Sequence, residues 1–316
     1  MLIPYILLLL PSVLPFAPQS TTATRTALLS TRGGGSSPPP SPKPPLPLLI
    51  LKKSLPLVLP LALLTLTLLV ASPTPLLAPY YTNCALSVFC AVLATVWLKL
   101  VTALYKNGVV PASLSRKLIH TLSIPLFLLT WPFFSTSDPY APYVAATVPV
   151  ANMWKIVSAG QGGEDGLGKA VSRSGDEKEI LNGPLIYTFI LFLSTLFLFP
   201  SPASIVGLTQ MAAGDGMADI IGRRWGKTKW RKTSQKSVQG TLGFVASAFV
   251  ATFALLVYYS TVTSQPLDVG VGEMAVRVAG ISLACGLVET AEVGDDNFTV
   301  PIAGTVLGGY LLGWTW

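Results

Sequence analysis

Asp215 and Asp219 stand four residues apart in the segment GDGMADIIGRRWGKTKW, which runs from Gly214 to Trp230. On a helix that spacing puts both carboxylates on one face, about 40° apart. Arg223, four residues further on, continues the stripe. Two carboxylates beside glycines that allow close approach suit a hard cation such as Mg²⁺, which bridges carboxylates to substrate phosphates. Arg223, Arg224, Lys227 and Lys229 follow at once. Arginine offers phosphate a bidentate fork and lysine a point charge. An acid pair followed by a basic cluster reads as a metal–nucleotide site. The competing reading is an intrahelical pair, Asp219 with Arg223, that only neutralises buried charge; it leaves Asp215 and its glycine neighbours unexplained. Arg231 and Lys232 fit a topology signal or lipid headgroup contact equally well.

Three further stretches carry polar groups into apolar surroundings. SQKSVQGTLGF brings Lys236 and Ser237 to the entry of an apolar helix. SRKLIH opens another, with Arg116 and His120 four apart on one face and Lys117 beside them. Near the C-terminus Glu289, Glu292, Asp295, Asp296 and Asn297 place four acids and an amide within nine residues. They suffice to hold a second metal or to pair with the basic loop, although a solvated turn is the plainer reading for Glu292 and Asp295. An ionisable group at a membrane helix centre costs roughly 2.5–3.5 kcal/mol on insertion scales, so such residues mark function first.

The elements that must position these groups are apolar. Of 316 residues, 51% are hydrophobic and 11% charged, and the mean hydropathy is +0.60. A soluble domain has about 25% charged residues. The deficit excludes an ordinary cytosolic enzyme, a disordered chain and a nucleic-acid binder with a basic surface. It predicts an all-α polytopic membrane protein. Runs of about 20 apolar residues, the length of a spanning helix, cover 54–71, 85–104, 118–134, 141–158, 184–200, 203–221, 240–261, 275–292 and 298–316. That amounts to about seven to nine transmembrane helices. Polar loops at 159–183 and 223–239 interrupt them. No acid precedes Asp138, whereas residues 223–236 hold seven bases and no acid. The net charge of +7 is thus an acid-free N-terminal part plus one cationic loop. Cys84, Cys90 and Cys285 form no CxxC pair and His120 is the single histidine, which argues against a disulfide framework, structural zinc or a His cluster. No GxxxxGK[ST] loop and no HRD or DFG signature is present, so this is not a soluble kinase fold.

Residues 1–45 read as an address rather than a fold. MLIPYILLLLPSVLPF resembles the core of a signal peptide, and the following Ser/Thr/Pro/Gly-rich, acid-free stretch has transit-peptide composition. Signal first and transit second, with Phe16-Ala17-Pro18 between them, resembles the bipartite presequence of algae with secondary plastids. A first membrane helix followed by a Pro-rich linker is the alternative.

RKLIH, GDGMADIIGRRWGK, KSVQGTLGF and DDNFTVP, in this order and with these apolar spacers, resemble the phytol kinases of plastids, members of the polyprenol kinase family. The loop Gly168 to Tyr187, GKAVSRSGDEKEILNGPLIY, is similar too. The likeness covers about residues 115–316. It implies N-terminal transmembrane helices over 46–110, a kinase membrane domain over 111–316, and residence in a plastid membrane. It also implies phosphorylation of phytol, or a related prenyl alcohol, to phytyl phosphate for tocopherol synthesis, with CTP as donor and Mg²⁺ or another divalent cation. Asp215, Asp219, Lys236 and Glu289 are then the catalytic candidates. Arg223, Arg224, Lys227, Ser237, Arg116 and Lys117 are candidates for the phosphates, and Asp215 and Asp219, with Asp296 and Asn297, for the metal. The base that takes the alcohol's proton stays open among the aspartates, Glu289, Asp296 and His120. Gln235 and Gln239 flank Lys236-Ser237 where relatives more often carry a basic residue and Trp or Glu, a departure that bears on substrate and nucleotide preference. A farnesol or geranylgeraniol kinase, a cytidylyltransferase forming CDP-lipids, and a transporter are the alternatives. Membrane lipid is the expected surrounding partner and nucleic acid is not one.

Overall fold

The computed structural model describes residues 78–160, 181–265, 267–292 and 294–316. The presequence 1–45, the span expected at 54–71 and residues 161–180 of the first polar loop lie outside the described residues. Within them the regular elements are helices: α1 (Ala78–Lys106), α2 (Ala112–Leu128), α3 (Ala141–Gly160), α4 (Gly183–Leu198), α5 (Pro202–Thr209), α6 (Gly216–Trp225), α7 (Val238–Thr263), α8 (Val271–Thr290) and α9 (Asp296–Leu312). A π-helical segment, Gln210–Asp215, joins α5 to α6, so the span expected at 203–221 is one helical run with a widened middle. Three of these helices, α1, α7 and α8, are long and apolar enough to cross a membrane. Trp154, Phe197, Val276 and Tyr310 are more than two-thirds exposed. Large apolar groups spread over helix surfaces in this way suit lipid contact rather than water.

Local chemistry sets the helix starts. Ser201 accepts a hydrogen bond from Ser204 N and precedes Pro202 at the first helical position of α5. Ser237 caps α7 through Gly240 N, and Asp295 caps α9 through Asn297 N. Each hydroxyl or carboxylate satisfies an amide that the helix leaves unpaired. The run expected at 118–134 starts six residues earlier and stops at Leu128, passing into a short 3₁₀ turn, Trp131–Phe133. The one expected at 298–316 ends at Leu312, where Gly313 turns to φ 114°.

Helices without a hydrophobic drive between them need small residues to pack closely. The α5–α9 contact uses this device. A Cβ on Gly207 would lie 2.0 Å from Thr305 Oγ1 and 2.8 Å from the Pro301 carbonyl oxygen. Buried hydrogen bonds fix the π segment from the far side. Gln210 donates to Thr252 Oγ1 of α7 (3.2 Å) and to Ser282 Oγ of α8 (3.1 Å), and Thr209 shares a 2.6 Å bond with Thr252. Below α2, Trp131 is fully buried, with ring centroids 4.9 Å from Phe199 and 6.1 Å from Phe127.

Candidate active site

The first turns of α2 face the end of the π segment. Lys117 Nζ lies 3.0 Å from Asp215 Oδ2 and 3.7 Å from Asp219 Oδ2. His120 Nε2 lies 3.1 Å from the same Asp215 oxygen and 3.2 Å from the Met211 carbonyl. The His120 ring packs on Tyr187 of α4, centroids 4.3 Å apart, and the Tyr187 hydroxyl donates to the His120 carbonyl at 2.5 Å. This approach of α2 requires Gly216, because a Cβ there would come within 1.9 Å of Thr121 Oγ1. The π turn closes its hydrogen bonds one residue later than an α turn and so re-aims Asp215 relative to Asp219. Asp219 is held by its own helix: Arg223 Nε donates to Oδ1 at 2.8 Å, with Arg116 3.7 Å from Oδ2.

A second ionic cluster forms where the basic loop meets the C-terminal acids. Lys236 pairs with Glu289, which is 4% exposed, and with Asp296 at 2.9 Å. Burial opposes the charge on Lys236, but Asp296, Glu289 and Asp215 outweigh it and hold its pKa above the ordinary lysine value. Ser234 donates to Glu292 at 2.7 Å, a bond that lowers the Glu292 pKa. The loop carrying Lys236 is itself ordered: Thr228 and Val238 pair through their backbones, Lys229 donates to the Gln235 carbonyl, and Trp230 Nε1 donates to Thr241 Oγ1.

Carboxylate oxygens of Asp215, Glu289 and Asp296 lie within 4.8 Å of one another. Three converging oxygen donors suit a hard divalent cation. The sequence pointed to Asp215 with Asp219 for this task. Asp296 and Asn297 were candidates beside them; Asp215 and Asp296 fall in this group of three with Glu289, whereas Asp219 bonds Arg223 and lies 3.7 Å from Arg116 and Lys117. Asn297 bonds Asp295 through its side chain and backbone.

Both clusters open into one cavity of about 950 Å³. Arg116, Lys117, His120, Arg223, Lys229 and Lys236 line its charged end, and Ser237, Asn297 and the acids above share that wall. Arg224 and Lys227 are exposed and lie outside the lining, with the Arg224 guanidinium 5.2 Å from the Trp225 ring. The opposite end is apolar, walled by α1, α2, α3 and α4. Sequence reasoning missed Tyr187 and Asn182 on this wall, although both fall in the NGPLIY stretch it had marked as similar. Lys229 was grouped with the phosphate cluster and lines the cavity.

A helical fold in which charged side chains open onto an apolar groove fits a ligand with a polar head and an apolar body. Similarity to known proteins narrows that class. The chain is 42% identical over 206 residues to a probable phytol kinase 1, chloroplastic, of Glycine max, covering 63% of this chain and 67% of that one. It is 40% identical over 215 residues to phytol kinase 1, chloroplastic, of Arabidopsis thaliana, covering 66% and 69%. A farnesol kinase, chloroplastic, of the same plant is 35% identical over 213 residues, covering 66% and 68%. The chain belongs to the phytol kinase family. No protein-family model matches it, and no solved structure does.

Proposed function

We propose that the chain is a prenyl alcohol kinase of a plastid membrane, transferring the terminal phosphoryl group of CTP to the hydroxyl of phytol. The observation that carries this reading is a cavity with a charged end and an apolar end, within the ~300–1,000 Å³ of ligand pockets. The membership of the family and the chloroplastic phytol kinases it resembles support the substrate and the compartment. Seven to nine spanning helices, a presequence over 1–45 of the secondary-plastid type, helices over 46–110 and a kinase domain over 111–316 complete the proposal.

Phosphoryl transfer rests on positioning and charge neutralisation more than on covalent help. Lys117, Arg116, Arg223, Lys229 and Lys236 present cations along one wall and hold the phosphate oxygens. Asp215, Glu289 and Asp296 are the residues that would hold a divalent cation, whose chemistry is to neutralise charge on the transferring group. Asp215 and His120 meet where the charged wall gives way to the apolar groove, and this pair accepts the alcohol's proton. The groove lays the prenyl chain along α2 and keeps water from the hydroxyl.

The test is a product assay on purified membranes with phytol and labelled CTP. Phytyl phosphate with CDP supports the proposal. Release of CMP or pyrophosphate makes the protein a transferase of nucleotidyl groups instead. The farnesol kinase relative supports one second reading, a shorter prenyl alcohol as substrate; farnesol in the same assay decides between them.

A further inference from the structure

The apolar end of the cavity stops at a built floor, and we propose that this floor sets the length of the prenyl chain the enzyme accepts. The inference rests on the prenyl alcohol reading above and goes beyond it, because that reading leaves the chain length open between phytol and farnesol.

Along each of the four walls the lining residue farthest from the charged end is buried: Cys90 on α1, Phe127 on α2 with Thr130 just beyond it, Val148 on α3 and Leu191 on α4. All five are less than a tenth exposed. Two hydrogen bonds tie three of them together. Cys90 Sγ donates to Thr130 Oγ1 at 3.2 Å, and Thr130 Oγ1 donates to the Phe127 carbonyl at 2.6 Å. Behind Phe127 stands the fully buried Trp131, itself packed edge-on against Phe199. A floor backed by interlocked rings yields little, because packed interiors deform poorly.

The depth can be read along α2. Lys117 and His120 touch Asp215, where the hydroxyl reacts, and Thr130 is at the floor. At 1.5 Å per residue these limits put the floor roughly 15–20 Å from the reacting end. An extended chain advances about 1.2 Å per bond, so roughly twelve to sixteen main-chain carbons fill that depth. The upper figure is the main chain of phytol and geranylgeraniol, the lower that of farnesol. Farnesol stops at most about 5 Å short of the floor, and geranylfarnesol, one isoprene unit longer than geranylgeraniol, overruns it by about 4 Å or more. The longer chain meets Phe127 and Trp131; the shorter one leaves apolar wall uncovered.

The experiment measures kcat/KM for farnesol, geranylgeraniol and geranylfarnesol with the full chain in membranes. The wild type is expected to prefer geranylgeraniol over geranylfarnesol by tenfold or more, in line with the ~10–200-fold that a mismatch in an apolar pocket costs. Val148→Phe raises the floor and shifts the geranylgeraniol-to-farnesol ratio toward farnesol by about tenfold. Phe127→Ala lowers it and raises the geranylfarnesol-to-geranylgeraniol ratio by about as much. Ratios that stay flat in an active wild type and in Phe127→Ala overturn the ruler, whether or not Val148→Phe inserts. A wild type that phosphorylates neither phytol nor any of the three overturns the kinase reading itself, a result distinct from flat ratios.

Discussion

Asp215 and Asp219 share a helical run and a lysine partner, yet they sit in different chemistry. Asp215 is 6% exposed and meets groups from outside its own helix: Lys117 and His120 of α2, and the Glu289 and Asp296 carboxylates beyond. Asp219 is more open and is bonded by Arg223, one turn along the same helix, whose side chain is half exposed. A spacing of four therefore does not make two equal ligands. The π segment turns one carboxylate into the convergence of three elements, while the next keeps its short bond to Arg223 on its own helix and only longer contacts, at 3.7 Å, to Lys117 and Arg116 of α2. Buried and shared, Asp215 has no substitute; Asp219 has neighbours that can partly cover its loss.

The sharpest test of that contrast is a pair of isosteric changes. Asp215→Asn keeps shape and hydrogen bonding but removes the charge that Lys117, His120 and a divalent cation all need. Turnover should fall by orders of magnitude in protein that inserts at normal levels. Asp219→Asn should cost about tenfold, near the 1.4 kcal/mol of one moderate interaction. The double change Asp219→Asn with Arg223→Gln should recover part of that loss, since both members of the pair leave together. Equal losses for the two single variants break the comparison.

The second cluster ranks next. Lys236→Met strands Glu289 in a buried position without its ammonium, and breaking a buried pair in this way costs about 3 kcal/mol. Denaturation in detergent should show the loss, and Glu289→Gln on the same background should return part of it, as the uncompensated charge disappears. A Lys236→Met protein as stable as the wild type would place the pair's weight elsewhere.

Gly216→Ala probes what lets α2 approach at all. The added methyl falls 1.9 Å from Thr121 Oγ1 and 2.9 Å from its Cβ. Overpacking of this kind costs about 1–3 kcal/mol, and the displaced residue adjoins Asp215. Lower stability together with lower kcat is expected, with partial relief from Thr121→Ala. A drop in stability alone would show that the close approach serves packing and not the site.

These residues differ in how far they announced themselves. Lys236, Glu289, Asp296 and Lys117 stand out because a charge is rare and costly in an apolar chain, so composition alone marks them. The start of α7 and the acids before α9 were marked as well, since a polar residue at the entry of an apolar run has few other uses. The π segment left no such mark. Gln210 to Asp215 reads as plain helix, and the partners Gln210 bonds there, Thr252 and Ser282, lie 42 and 72 positions away. Tyr187 and the floor residues Phe127, Val148 and Leu191 are apolar or aromatic among their like, and nothing local separates a cavity wall from a core. The seven to nine spans follow from hydropathy, whereas the described residues hold three helices that meet the length and apolarity of a span.

The smallest expected effect lies within the basic loop, where charge is plentiful and position decides. Lys229 lines the cavity and is steadied by its bond to the Gln235 carbonyl and by the Lys229–Ser237 bridge. Lys227, two residues earlier, is exposed like Lys229 but lies outside the lining. A surface charge in high dielectric contributes about 0–1 kcal/mol and is screened by salt. Lys227→Ala should therefore raise the nucleotide KM by about twofold or less at 0.15 M salt, and its effect should vanish at high salt. Lys229→Ala should raise the same KM by about five- to tenfold and keep most of that effect in salt, because a cation on a cavity wall is desolvated when phosphate binds. The prenyl alcohol KM should stay level in both. If the two variants behave alike, the loop acts as a diffuse positive field, and the cavity wall has no privileged cation there.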